Sequence, residues 1–129
     1  MPHDYTIDEA ENILYLTSTG TAELEGIKAL MTRIAADPRV GRATRVLVDA
    51  RELELDLPTA QLETIAGWHA SELGAARTSA IVIQPGLGYG LARMLSALSE
   101  SRGARLAVFT DCDDALAWLR AQAQDADQR

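Results

Sequence analysis

Arg45-Val46-Leu47-Val48-Asp49 sets three aliphatic residues side by side between charged ends. A strand with one face in water alternates apolar and polar residues, whereas an unbroken apolar run marks a strand covered on both faces, as in a parallel sheet. Ser79-Ala80-Ile81-Val82-Ile83 repeats the pattern, and Leu106-Ala107-Val108-Phe109 repeats it once more. Parallel neighbours need long crossovers, so the segments between these runs should be helical.

The intervening residues carry that periodicity. Upstream, Leu24, Ile27, Leu30, Met31 and Ile34 form one apolar stripe, with Thr21 as the expected N-cap, Glu23 and Glu25 against the positive dipole end, and Pro38 as the stop. Pro58 and Thr59 open a second helix with the stripe Leu62, Ile65, Ala66, His69 and Leu73, stopped at Gly74. The third helix follows Pro85-Gly86, carries Leu91, Met94, Leu95 and Leu98 inward, and ends at Gly103. Asp111 caps the fourth, with Asp114 three residues on and Leu116 and Leu119 facing the core.

Tyr5 and Ile7, a polar turn from Asp8 to Asn12, and Ile13 to Thr17 read as an opening hairpin that Gly20 ends. The order β-β-α-β-α-β-α-β-α predicts an α/β fold. It is a single-domain mixed five-stranded sheet, antiparallel in the opening hairpin and parallel in the remainder, with four helices. The domain is expected over residues 1–121, and the polar, aperiodic residues 122–129 as a frayed tail.

The 129 residues suffice for one core without disulfide or metal, and with 5% aromatics that core is built from Leu, Ile, Val and Ala. A formal net charge of −7 opposes a sequence-independent grip on nucleic acid and adhesion to an anionic membrane, although Arg93, Arg102 and Arg105 could form a local basic patch. Cys112 is the single cysteine, which excludes an internal disulfide and a cysteine zinc site. No run approaches eighteen apolar residues, and Met1-Pro2-His3-Asp4 does not resemble a signal peptide, so no membrane insertion and a cytoplasmic location are expected.

Each residue with chemical capacity has an ordinary role beside a functional one. Thr59 could hold a phosphate at a helix start, or be an N-cap contributing about 1 kcal/mol. Pro85-Gly86-Leu87-Gly88-Tyr89-Gly90 joins a strand to a helix but matches neither dinucleotide nor P-loop spacing, so a turn with positive φ accounts for it. Arg93 lies one turn further on and could meet an anion, Glu100 or solvent. His69 falls on the apolar stripe, and with His3 far away in sequence it makes no metal site, which leaves a hydrogen-bonded histidine at the core boundary. Trp68, one position off the stripe, is expected to be partly exposed and could mark a protein interface. Cys112 sits among Asp111, Asp113 and Asp114, which favour the neutral thiol. Glu52, Glu54 and Asp56 alternate with leucines as on a half-exposed strand.

Leu47-Val48-Asp49, Tyr89-Gly90-Leu91-Ala92-Arg93-Met94, and Val108-Phe109-Thr110-Asp111 running into Asp114-Ala115-Leu116-Ala117-Trp118-Leu119 give the chain a resemblance to the SpoIIAA-like group. That group includes the STAS domains (anti-sigma-factor antagonists) and related lipid-carrier folds, and the chain looks closest to small uncharacterised bacterial members. The resemblance implies a switch in which a Ser or Thr at the start of the second helix is phosphorylated and controls docking to a kinase. It sets Asp49 on the strand-end Asp and Thr59 on the phosphoacceptor. Arg51 stands where the pattern has Ser, Leu57 where it has Asp, and Pro58 precedes the acceptor.

No nucleophile–base pair, cofactor fingerprint or ligand cluster emerges, so no cofactor and no catalysis are expected. The expected function is a non-enzymatic regulatory module that docks a protein partner through the second and third helices and the loops before them. Asp49, Arg51, Trp68, His69, Tyr89 and Arg93 are its candidate partner or ligand surface. A small-molecule or lipid carrier is the alternative, and a structural homodimer the second.

Overall fold

The computed structural model describes residues 3–71 and 78–127. Its elements are β1 (His3–Asp8), β2 (Ile13–Thr21), α1 (Leu24–Ala35), β3 (Arg45–Glu54), α2 (Thr59–His69), β4 (Thr78–Val82), α3 (Leu87–Glu100), β5 (Arg105–Phe109) and α4 (Cys112–Asp127). The strands lie in chain order β1-β2-β3-β4-β5, antiparallel between β1 and β2 and parallel elsewhere. Leu73 and Gly74, the expected end of the second helix, lie outside the described residues.

A sheet that steps one way through right-handed crossovers puts every crossover helix on one face. Accordingly α1, α2 and α3 share a layer, and α4, which follows the last strand, covers the opposite face. The core divides the same way. Leu30 of α1 packs with Leu14, Leu16 and Val46. Leu62 and Ile65 of α2 pack with Ala50, Ile81 and Leu106. On the far side, Ala115 and Leu119 of α4 cover Leu47, Ala80 and Val82. Val46 and Leu47 point to opposite layers, and both need to be apolar; this is the physical content of the unbroken run.

Arg45 fastens α4 at the lower end of the sheet. Its guanidinium donates to the Leu119 carbonyl at 3.1 Å and to the Glu11 carbonyl in the β1–β2 turn. Arg120 adds an exposed two-point pair with Glu11, at 2.9 and 3.0 Å.

Two expected caps prove different. Thr21 is the last residue of β2, opposite Glu54 of the extended β3, and Glu23 caps α1 without a side-chain bond. The longer ladder holds Thr21 in the sheet, and the strand runs past Gly20, which adopts φ +77°. Thr59 is the first helical residue of α2, not its cap. Pro58 takes the cap in extended geometry (φ −60°, ψ 151°), and its carbonyl accepts from Gln61 and Leu62. Asp111 caps as expected, its Oδ1 accepting the Asp113 N–H at 2.7 Å. The turn before α3 has its positive φ at Gly86 (+132°).

Candidate functional site

Open α/β sheets bind ligands beyond the carboxyl ends of their strands. Two grooves, both open to solvent, lie at that end here and share Gln84. The first, about 360 Å³, runs between the ends of β2 and β3 and includes Thr17, Thr19, Asp49, Arg51 and Glu52. The second, about 280 Å³, lies between the β3–α2 connection and the turn before α3. Gln84 donates from Nε2 to the Arg51 carbonyl at 3.2 Å and so ties the two together.

The first groove is shaped by a bulge. Thr17 pairs with Asp49 but Thr19 with Glu52, so β3 carries one extra residue opposite Ser18. A bulge re-aims the side chains around it. Arg51 folds back on Asp49, with Nε on Oδ1 at 2.9 Å and Nη2 on Oδ2 at 2.8 Å. The hydrogen bonds to Arg51 hold the Asp49 carboxyl below its ordinary value, and the same pair raises Arg51. Each charge thereby satisfies the other. Cys112, in the first turn of α4, senses this pair. Burial raises its thiol, the Arg51 charge opposes that, and Asp49 and Asp111 reinforce it. Such a thiol is a weak nucleophile at neutral pH.

The second groove has an apolar floor. Leu55 and Ile83 are buried, and Leu53 is half-buried. Leu87 stands over it, 64% exposed. Glu54 and Asp56 are exposed along the rim. Leu53, Leu55 and Leu57 turn inward at period two, so the acids between them turn out.

The other expected site residues are spread over the α1–α3 layer. Thr59 is exposed at the start of α2, and its hydroxyl lies 3.9 Å from Met94 Sδ of α3. Tyr89 and Arg93 stack on each other one turn apart, the guanidinium 6.0 Å from the ring centre. Trp68 is half-buried against the α2–α3 core, under the Lys28 ammonium at 5.9 Å. His69 is buried, with Nε2 3.4 Å from Ser79 Oγ at the start of β4. It therefore lies near the opposite end of the strands from Asp49, and the structure does not bring these residues into one site. Among the described residues, no three His, Cys, Asp or Glu side chains are placed to hold a metal ion.

Met94 departs from the sequence expectation. The sequence places it on one stripe with Leu91, Leu95 and Leu98, yet it is 40% exposed, and with Leu87 it makes up the exposed large hydrophobics of the described residues. Leu87 and Met94, seven residues apart, lie along one edge of the apolar arc that Leu91, Leu95 and Leu98 continue toward the core.

No protein-family model matches the chain, and no curated protein matches it. The strand order, the mixed sheet and the helix layers define the SpoIIAA-like α/β fold, and a solved structure agrees. It is an uncharacterized protein of the DUF3478 family with a SpoIIAA-like fold, from Shewanella loihica PV-4. The two chains are 22% identical over 91% of this chain and 93% of that one, with a TM-score of 0.59. At this identity the likeness shows the fold. No helix among the described residues is long and apolar enough to cross a membrane.

Proposed function

We propose that the chain is a non-enzymatic regulatory module that docks a protein partner through α2, α3 and the loops preceding them. One observation carries this. Among the described residues the large hydrophobics left exposed are Leu87 and Met94, along one edge of α3, and Met94 lies 3.9 Å from the Thr59 hydroxyl at the start of α2. An exposed apolar line beside a polar helix start is the composition of a docking surface, with the aliphatic residues as anchors. The SpoIIAA-like fold supports the reading, since its resemblance is to modules that work by docking. The proposal takes residues 1–121 as the docking domain and 122–129 as a polar tail, and places the protein in the cytoplasm. A carrier would need an enclosed cavity, whereas the two grooves are open, so that alternative has less support.

The test is cross-linked capture from native lysate with the intact protein, its Leu87→Asp/Met94→Asp variant, and Thr59→Ala and Thr59→Asp. The same captured masses should disappear with the double variant while circular dichroism stays unchanged. Capture that survives it would remove α3 as the docking face. Thr59→Ala should leave capture unchanged and alter stability by less than about 0.5 kcal/mol, because Thr59 is not the cap. Loss of capture in both Thr59 variants, without unfolding, would instead make Thr59 a phosphoacceptor.

A further inference from the structure

We propose that the groove between the β3–α2 connection and the turn before α3 accepts a short basic, apolar segment of the partner protein. An aliphatic side chain enters the groove, and a lysine or arginine lies on Glu54 and Asp56. The inference rests on the docking reading and names the chemistry of what docks.

The groove is amphipathic in a definite sense. Its floor, Leu55 and Ile83, is already desolvated at 6% and 2% exposure, and Leu87 at 64% forms an unpartnered apolar wall. Gly88 permits this arrangement. A Cβ there would come 3.1 Å from Ile83 Cδ1, so glycine lets the first turn of α3 rest directly on the floor. The rim is acidic without compensation among the described residues, none of whose Lys, Arg or His side chains lines this groove. The neighbouring groove differs, since there Arg51 neutralises Asp49 at 2.8 Å. The starts of α2 and α3 each contribute about half a positive charge, which two full carboxylates outweigh. A phosphate or carboxylate ligand would be repelled by that rim, and a purely aliphatic one would leave it unanswered. A cation on an aliphatic stem answers both parts, and a chain net charge of −7 steers such a segment in.

The test uses the intact protein and three fluorescein-labelled peptides read by anisotropy. One alternates lysine and leucine, one has glutamate for lysine, and one has serine for leucine. The basic peptide should bind, and its affinity should fall with added salt. It should weaken at least tenfold in Glu54→Gln/Asp56→Asn and in Leu87→Ser. Glu9→Gln/Glu100→Gln, which changes the net charge equally at the other end of the sheet, should leave it unchanged. Equal binding of the glutamate or serine peptide, or an equal loss in the Glu9/Glu100 variant, would overturn the inference as mere attraction to an acidic protein. In the lysate experiment, capture lost with Leu87→Asp/Met94→Asp but kept with Glu54→Gln/Asp56→Asn would overturn this inference alone and leave docking standing. Capture kept in both would overturn the docking reading itself.

Discussion

Gly86 and Gly90 show how one residue type carries opposite meanings four positions apart. Gly86 holds φ +132° and ψ −156°, a region that a Cβ makes unfavourable, although nothing lies within 4 Å of where that Cβ would stand. The strain of Gly86→Ala is thus purely a backbone matter, and the substitution should destabilise by about 1–3 kcal/mol. Gly90 is helical and exposed, with equally open space around it, so Gly90→Ala should stabilise by about 0.5–1 kcal/mol. Urea titration of the two variants checks both signs. The Pro-Gly pair announced the positive φ in the sequence. That Thr59 yields its cap to Pro58 was not legible, because it depends on which carbonyl the Gln61 and Leu62 amides reach.

At the scale of the element, α4 differs from the other helices in how it is held. Among the described elements it alone covers its face of the sheet, and its first part buries Ala115 and Leu119 against β3 and β4. Its fastening at the lower end is polar, through Arg45 to the Leu119 and Glu11 carbonyls. Hydrogen bonds from a charged donor contribute about 1.5–3 kcal/mol each, and removing the donor also takes this partner from the Glu11 carbonyl in the turn. Arg45→Met, which keeps the aliphatic stem, should therefore lower stability by about 2–4 kcal/mol in urea titration. Arg120→Ala should do far less, because its pair with Glu11 is exposed and screened by solvent. A small loss in Arg45→Met would show that apolar burial alone docks α4. The last turns of this helix also run to Asp127, although periodicity fades after Gln122.

At the scale of the whole molecule, the ion pairs of Glu11, Asp37 and Asp49 shape the response to acid among the described residues. Hydrogen bonds from Arg120, Arg39 and Arg51 depress the carboxyls of Glu11, Asp37 and Asp49, respectively. A carboxyl whose folded value lies below its unfolded one stabilises the fold above the unfolded value and loses that contribution as pH falls. Stability should accordingly hold down to the ordinary values of 4.5 and 3.8 and decline below them. Tyr15 gives the opposite limb. Burial raises its phenol, so its contribution is full below 10.0 and is lost as pH climbs beyond. Thermal melts across the pH range check both limbs, and an acid midpoint flat below 3.8 would show that the pairs contribute nothing.

The sequence by itself determined the elements and the mixed, mainly parallel sheet they form. Apolar runs such as Val46-Leu47-Val48 have no stable place except between two covered faces, and the helical stripes between them leave one economical way to connect parallel strands. It also determined the Asp111 cap, whose side chain reaches only two residues along the chain. The tertiary structure decided what the surface offers. Arg51 folds onto Asp49 beside the bulge opposite Ser18, and that bulge arises from pairing between two strands. Leu91, Leu95 and Leu98 pack against the core while Met94, on the same apolar arc of α3, stays exposed. Glu54, Asp56, Ile83 and Leu87 meet because two loops some thirty residues apart end on adjacent strands, a proximity that only the order of the sheet creates.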